Sequence, residues 1–141
     1  MKIFFDGGCR PNPGMMEAAV VAGGRVWIRR DLGHGTNDHA EWLALLYAVD
    51  IARMLGERDI VLIGDSGRVI HQAKGLRKSR AADLQPYLDR FAEAKGWFAR
   101  MRIRQIGRAQ NLAGIALEKG HLPGSNLRAE SSAGSIHHNL R

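Results

Sequence analysis

The stretch IVLIGD at residues 60–65 decides the fold class of this chain. Its four consecutive apolar residues lie between Asp59 and Gly64, and such a run is typical of a strand that is buried on both faces of a sheet. Asp65 follows at the carboxyl end of the predicted strand. In open sheets flanked by helices, functional side chains collect at this edge. The stretch therefore predicts a central strand and a candidate site beside it.

Short strands and one long helix precede this run. We predict three strands from their β-prone residues, at residues 2–5, 18–22 and 25–29. Gly23-Gly24 favours a hairpin between the second and the third, and we expect loops at residues 9–14 and 31–37. From about Asp38 to Leu55 apolar residues recur at spacings of three and four. This pattern predicts a helix, with Asn37 or Asp38 as its N-cap.

Helical and strand patterns alternate after Asp65. We predict helices at residues 66–73, 84–98 and 111–119, and a last strand at residues 101–106. The order of elements predicts an α/β fold with a mixed five-stranded sheet flanked by helices. We place the domain at residues 1–119. Residues 120–141 are polar and small, without apolar periodicity, and we predict a flexible C-terminal tail there.

The charge of the chain points to an anionic partner. Its 141 residues carry a net charge of +7, and nucleic acid is the usual partner of so basic a domain. Between Arg68 and Arg108, eleven Lys or Arg face only three Asp or Glu, a local net charge of +8. This stretch is either a basic solvated surface or a footprint for backbone phosphates, and we favour the footprint.

Cysteine use and hydropathy bear on the location of the protein. Cys9 is the only cysteine, which excludes an internal disulfide and a cysteine-rich zinc site. No apolar run approaches the roughly 20 residues that span a bilayer, and the first residues lack a signal-peptide core. We expect a cytoplasmic protein with no membrane partner. The sequence leaves the oligomeric state open, and we expect a monomer.

Three carboxylates fall where a sheet fold places its site. Asp6 ends the first predicted strand, Asp65 follows the central one, and Glu41 lies on a mostly apolar stripe of the long helix. Clustered carboxylates repel one another, and hard divalent cations such as Mg²⁺ or Mn²⁺ relieve that repulsion. Two such ions about 4 Å apart would activate a water and stabilise the leaving oxygen of a phosphodiester. Taken singly, Asp6 could instead be a turn residue, Asp65 a helix N-cap and Glu41 an ordinary first-turn residue.

The sequence around these carboxylates resembles a known family. The motifs are DGGC at residues 6–9, NPG at 12–14, TNDHAE at 36–41 and DS at 65–66, with Gln72 beyond them. Together they resemble type 1 ribonuclease H over residues 2–119. LQP at residues 84–86 is similar to the members without a basic protrusion, so we expect the positive charge to be spread over the helices.

The resemblance implies a function and a set of site residues. It implies a metal-dependent endonuclease that hydrolyses the RNA strand of RNA–DNA hybrids, leaving a 5′-phosphate and a 3′-hydroxyl. Asp6, Glu41 and Asp65 match metal-binding carboxylates of the family. The residues that match positions contacting the hybrid are Gly7, Cys9, Asn12, Asn37 and Ser66, with Thr36 at the contact to a DNA phosphate. The asparagines would meet RNA 2′-hydroxyls, which distinguish RNA from DNA.

The fourth active-site position departs from the family. The family has an aspartate where the last helix opens, and residues 108–118 contain none. Different alignments place Asn111, Gly114 or Ile115 there, and Glu118 is nearby. We favour Asn111 as the fourth catalytic residue and metal ligand because its amide supplies an oxygen. That amide carries no charge, so we expect a second Mg²⁺ or Mn²⁺ ion to bind more weakly than the first.

Two other functions are compatible with this departure. The chain could be a ribonuclease H-fold module that binds RNA–DNA hybrid or structured nucleic acid with weakened or absent catalysis. It could also be another nuclease of the same superfamily fold, such as a resolvase or transposase core. The asparagines and the short chain favour the ribonuclease over that last possibility.

Overall fold

The structure, a computed structural model, describes residues 1–75 and 82–120 of the chain. Within those ranges the elements are β1 (Lys2–Cys9), β2 (Gly14–Ala22), β3 (Arg25–Arg29), β4 (His34–Gly35), α1 (Asn37–Met54), β5 (Asp59–Gly64), α2 (Gly67–Ala73), α3 (Gln85–Lys95), β6 (Arg100–Gln105) and α4 (Leu112–Lys119). Short 3₁₀ turns lie at Ala82–Leu84 and Arg108–Gln110. The predicted tail beyond residue 120 lies outside the described residues, as do Arg77, Lys78 and Arg80 of the basic stretch.

One mixed sheet organises these elements, as the sequence predicts. Its strand order is β3-β2-β1-β5-β6, and β4 adds a short pairing to β2. The pairs β1–β5 and β5–β6 are parallel, whereas β2 is antiparallel to both β1 and β3. Strand β5 lies between β1 and β6, and its residues Ile60, Leu62 and Ile63 are at most 1% exposed. The central position predicted for residues 60–63 is confirmed.

Strand β1 is longer than predicted, and this changes the setting of Asp6. The glycines after Asp6 indicate a turn in the sequence, but the strand continues to Cys9 because β2 pairs with it as far as Cys9 opposite Met16. The loop between β1 and β2 is therefore residues 10–13, and β2 begins at Gly14 rather than at residue 18. Asp6 consequently lies inside a paired strand, which holds its backbone more firmly than a turn would.

Helix α1 packs across the sheet and forms most of the core. Twelve of its eighteen residues are buried, because the helix is enclosed by the sheet on one side and by α2 and α3 on another. The observed N-cap lies one residue before the first of the two predicted ones, and the helix begins at Asn37. Thr36 is extended and its Oγ1 accepts a hydrogen bond from the His39 backbone N–H, at 3.3 Å, so Thr36 is the cap instead of Asn37 or Asp38.

The opposite face of the sheet is covered by α4. A second apolar cluster joins this helix to β2 through Ala19, Val21, Ala113, Ala116 and Leu117. The sheet therefore lies between α1 on one side and α4 on the other, which is the layered α/β arrangement expected. Among the described helices, none combines the length and the apolar character that crossing a bilayer requires.

Candidate active site

Three elements bring the predicted carboxylates together at one edge of the sheet. Phe4 of β1 is in register with Ile63 of β5, so Asp6 and Asp65 lie two residues beyond that pair at the same parallel edge. Glu41 reaches them from the first turns of α1. One ligand oxygen from each of Asp6, Glu41 and Asp65 lies within 4.8 Å of the others. This is the only group of three or more potential His, Cys or acidic metal ligands within the described ranges.

Close packing of Gly7 against α1 places the Glu41 side chain in a buried position. Gly7 of β1 lies against the first turns of α1 so closely that a Cβ on it would be 2.1 Å from the Ala40 carbonyl oxygen. The Gly7 backbone N–H donates to Oε1 of Glu41 at 2.5 Å. Glu41 is only 6% exposed, and its Oε2 finds no hydrogen-bond partner among the residues described. An unpartnered buried carboxylate oxygen is costly, and a cation would satisfy it.

Burial and mutual repulsion both affect protonation in this cluster. Burial, together with the Asp65 carboxylate, raises the pKa of Asp6 to about 6, against the opposing effects of the adjacent Glu41 side chain and of Arg108. Burial, followed by the neighbouring Asp6 carboxylate, raises the pKa of Glu41 well above its ordinary value. Such a set of hard oxygen donors, short of positive charge, fits a divalent cation of the Mg²⁺ or Mn²⁺ type.

Asn111 joins the cluster through its nitrogen and not through its oxygen. Its side chain is fully buried, and its Oδ1 accepts from the Ala113 backbone N–H at 3.1 Å as the N-cap of α4. Its Nδ2 donates to the Phe5 carbonyl at 3.0 Å and to Oδ2 of Asp65 at 2.8 Å. These three partners fix the orientation of the amide. In this arrangement the expected oxygen ligand is turned into the helix, and Asn111 holds Asp65 in place.

Of the other three candidates for the fourth position, only Gly114 faces the carboxylate cluster. A Cβ on Gly114 would lie 3.3 Å from Oδ2 of Asp6, so Gly114 is the residue of α4 that faces the cluster. Ile115 is 37% exposed. Glu118 lies away from the cluster, because its carboxylate pairs with Arg10 of the β1–β2 loop. The position next to Asp6 is thus filled by a residue without a side chain.

A polar groove of about 560 Å³ opens at the same edge of the sheet. It is lined by Asn12, Pro13, Thr36, Asn37, Asp38, Ser66 and Arg68. Four of the six residues expected to contact a nucleic acid, Asn12, Thr36, Asn37 and Ser66, are among them. Asn12 Oδ1 accepts from the Asn37 backbone N–H at 3.1 Å, which joins the β1–β2 loop to the start of α1. A hydrogen bond therefore connects the two walls of the groove, which are the β1–β2 loop and the start of α1.

The remaining two expected contact residues, Gly7 and Cys9, are buried and are not among the residues that line the groove. Gly7 is buried against α1, and Cys9 is 7% exposed. The Cys9 backbone N–H donates to Oδ1 of Asn37 at 3.1 Å, and its Sγ lies 3.4 Å from the same oxygen. Cys9 therefore supports the groove-lining residue Asn37, whereas Gly7 packs against α1.

The sequence motifs do not identify two charged residues of the groove. Nη1 of Arg68 and Oδ2 of Asp38 are 2.7 Å apart and link the N-terminal turns of α2 and α1. Each side chain is partly exposed, at 56% and 35%. Arg68 offers the groove a guanidinium that can bind phosphate, and Asp38 holds it in place. In the sequence, Arg68 was indicated only as the first residue of the basic stretch, and Asp38 only as a candidate N-cap within the TNDHAE motif.

The chain is similar to known proteins in both sequence and fold. A family model described as reverse transcriptase-like matches residues 5–119. The crystal structure of RNase H1 from the halophilic archaeon Halobacterium salinarum aligns with a TM-score of 0.73 at 32% identity, covering 83% of this chain and 96% of that one. The chain belongs to the type 1 ribonuclease H family.

Two further comparisons describe this ribonuclease H domain. Ribonuclease HI of Halobacterium salinarum is 35% identical over 119 residues, which are 81% of this chain and 60% of that protein. The chain thus spans less than two thirds of this curated relative's length. The N-terminal RNase H domain of rv2228c from Mycobacterium tuberculosis aligns with a TM-score of 0.72 at 28% identity, covering 83% of this chain and 92% of that domain.

Proposed function

We propose that this chain is an endoribonuclease that hydrolyses the RNA strand of RNA–DNA hybrids. The observation that carries the proposal is the convergence of Asp6, Glu41 and Asp65 within 4.8 Å, at the edge of the sheet where the groove opens. Membership of the ribonuclease H family supports the same reaction. The products would be a 5′-phosphate and a 3′-hydroxyl.

The three carboxylates would hold divalent cations, Mg²⁺ or Mn²⁺. When bound, such ions supply Lewis acidity and neutralise charge on the phosphate, and a pair of them can assist both the attacking and the leaving oxygen. Asp6 and Asp65 project from adjacent parallel strands, and Glu41 closes the set from the helix. Since Gly114 adds no charge beside Asp6, we propose that the second ion binds more weakly than the first.

The rest of the site would orient the substrate. We propose that the amides of Asn12 and Asn37 meet RNA 2′-hydroxyls, and that Thr36 and Ser66 meet the backbones at the helix N-termini. Gly7 and Cys9 would support these contacts. Asn111 is a positioning residue in this proposal, because its Nδ2 restrains the Asp65 carboxylate that would bind metal.

Cleavage of a labelled hybrid tests the proposal. Wild-type protein and Asp65→Asn are each incubated with an RNA–DNA hybrid, single-stranded RNA or duplex DNA, in Mg²⁺, Mn²⁺ or EDTA. We expect RNA-strand cleavage only by the wild type, only in the hybrid and only with metal. Equal cleavage by Asp65→Asn, or cleavage of duplex DNA, would contradict the proposal.

A second function is favoured by one observation. The position beside Asp6 is held by Gly114 and lacks a carboxylate, which fits a module that binds hybrid but has lost catalysis. Salt-sensitive hybrid binding without cleavage under either metal ion would support this function and overturn the first.

We propose that the protein is located in the cytoplasm and is a monomer. Its single cysteine supports a reducing compartment.

A further inference from the structure

Strand β6 carries three arginines on one face of the sheet. Its sequence RMRIRQ alternates, and Met101 and Ile103 contact the main core. Because successive side chains of a strand point to opposite faces, Arg100, Arg102 and Arg104 lie together on the other face. All three are exposed. We call this set the β6 arginine stripe.

The stripe lies on the face that α4 covers only in part. Helix α4 contacts β1, β2 and β3, while the stripe occupies the far edge of the sheet, two strands from β1. Arg104 is in register with Ile63, at the end of the sheet where Asp65 lies. Arg108 continues the positive charge toward Asp6, whose pKa it lowers. The stripe thus leads away from the carboxylate site.

The stripe is not neutralised by its neighbours. Within residues 1–75 and 82–120, none of the three guanidinium groups forms an ion pair, and Asp59, which is in register with Arg100, forms none with it. The segments outside the described residues offer little compensation by composition, since residues 76–81 have three basic residues and no acidic one, and residues 121–141 have two arginines and one glutamate. An external polyanion would complement this charge.

The spacing of the stripe suits a nucleic-acid backbone. Side chains two residues apart along a strand are separated by about 6.6 Å, which is similar to the distance between neighbouring phosphates of an extended strand. Arginine presents a planar fork of donors that matches a phosphate group. A row of such guanidinium groups recognises the spacing of phosphates and does not distinguish base sequence.

We propose that the β6 arginine stripe is a second nucleic-acid-binding surface, which takes the sugar-phosphate backbone of the substrate beyond the carboxylate site. The choice of nucleic acid as partner rests on the proposed function. In this proposal strand β6, in addition to the helices, supplies residues of the basic stretch that contact phosphate.

Salt dependence of binding tests the stripe. Binding of a long RNA–DNA hybrid, of about 30 base pairs, is measured in EDTA by fluorescence anisotropy over a series of NaCl concentrations. Each lost phosphate contact reduces the slope of log K against log[salt] by about 0.7–0.9. We therefore expect Arg100→Gln/Arg102→Gln/Arg104→Gln to reduce the slope by about 2 to 3. The charge-matched control Arg25→Gln/Arg53→Gln/Lys119→Gln, at exposed positions elsewhere, should leave it close to wild type.

Cleavage of two substrates separates this inference from the proposed function. With a hybrid of about 6 base pairs, or about 20 Å at about 3.4 Å per step, the stripe variant should keep the wild-type kcat and KM. With the long hybrid its KM should rise while kcat stays unchanged. If wild-type protein neither binds nor cuts either hybrid, the proposed function fails.

If the wild type cuts both hybrids and the stripe variant retains the wild-type slope, the stripe inference alone is wrong. Vesicles containing phosphatidylserine provide the remaining comparison. A stripe variant that loses vesicle binding with no change in its hybrid slope would also overturn the inference, in favour of a membrane surface. Circular dichroism of both triple variants verifies that they are folded.

Discussion

Gly114 occupies the position beside Asp6 where a fourth carboxylate could join the three-membered cluster. It is a helical residue whose missing side chain would point at Asp6, with an ideal Cβ 3.3 Å from Oδ2. Asn111, one turn earlier, uses its amide to cap α4 and to bind Asp65. The two positions therefore have different roles: Asn111 restrains an existing ligand, and Gly114 leaves room at the edge of the cluster.

Gly114→Asp should strengthen metal binding. A fourth carboxylate beside Asp6 adds one negative ligand, and we expect the metal concentration for half-maximal hybrid cleavage to fall roughly tenfold, equivalent to about 1.4 kcal/mol. Gly114→Ala is the matched control, because it adds the same Cβ without charge. A Mg²⁺ titration of activity measures both variants. An equal shift in the two, or none in Gly114→Asp, would contradict the role of this position.

Glu41→Gln should separate metal binding from folding. In EDTA the variant replaces a carboxyl whose charged form is disfavoured by burial and by Asp6, and it keeps an oxygen for the Gly7 N–H. We therefore expect its free energy of unfolding at pH 7.5 to be about 1 kcal/mol larger. With metal, hybrid cleavage should fall at least about 100-fold. Thermal unfolding with and without Mg²⁺ measures the first effect, and the Mg²⁺-induced rise in Tm should disappear. A variant that is less stable in EDTA would indicate that Glu41 acts mainly as a structural residue.

At the scale of elements, the contact between β1 and α1 positions the site. Gly7 allows the strand to approach the Ala40 carbonyl, and this places Glu41 above Asp6. The adjacent Gly8 faces the other way and has only Oδ1 of Asn37, 3.6 Å from an ideal Cβ. Two neighbouring glycines of one strand thus serve different purposes.

Gly7→Ala should destabilise the protein far more than Gly8→Ala. The added methyl at residue 7 would overlap the Ala40 backbone, and separating β1 from α1 should cost about 3 kcal/mol. The same substitution at residue 8 meets no backbone and should change the free energy of unfolding by less than about 0.5 kcal/mol. Urea unfolding of the two variants measures this difference. Similar losses in both would mean that the approach of strand and helix is not restricted at Gly7.

At the scale of the whole molecule, three carboxyls, one buried and two partly buried, couple stability to pH. Burial raises the pKa of Asp6 and of Asp50 to about 6 and that of Glu41 well above its ordinary value. Asp50 lies on α1 far along the helix from Glu41, and its Oδ2 has no hydrogen-bond partner within the described part of the chain. In each case the folded state binds the proton more tightly than the unfolded state does.

The pH dependence has a definite sign. A carboxyl with a raised pKa contributes stability that is complete below about pH 4 and is lost as the pH rises through about 6. In EDTA, Asp50→Asn should therefore lose less stability than the wild type between pH 4.5 and pH 7. Asp31→Asn, at an exposed position, should follow the wild-type curve. Thermal unfolding across this range measures both, and a wild-type slope in Asp50→Asn would contradict the assignment.

Local patterns were enough to predict the sheet and much of the site. The apolar run at residues 60–63 predicts a buried central strand because only such a strand has both faces covered, and the structure confirms it. Asp6, Glu41 and Asp65 could be selected because motifs surround them. The end of β1 could not be predicted, because glycines at residues 7 and 8 indicate a turn locally while pairing with β2 extends the strand.

By itself, the sequence determined the α/β fold class, the buried central strand at residues 60–63, and the absence of an aspartate from residues 108–118. These depend on periodicity and on residue identity, which are local properties. Tertiary structure alone decided that Gly114 faces Asp6, that the Asn111 oxygen is used by α4, and that the arginines of β6 lie on the face away from the main core. Such outcomes depend on register and helix rotation, which are set by the packing of distant segments against one another.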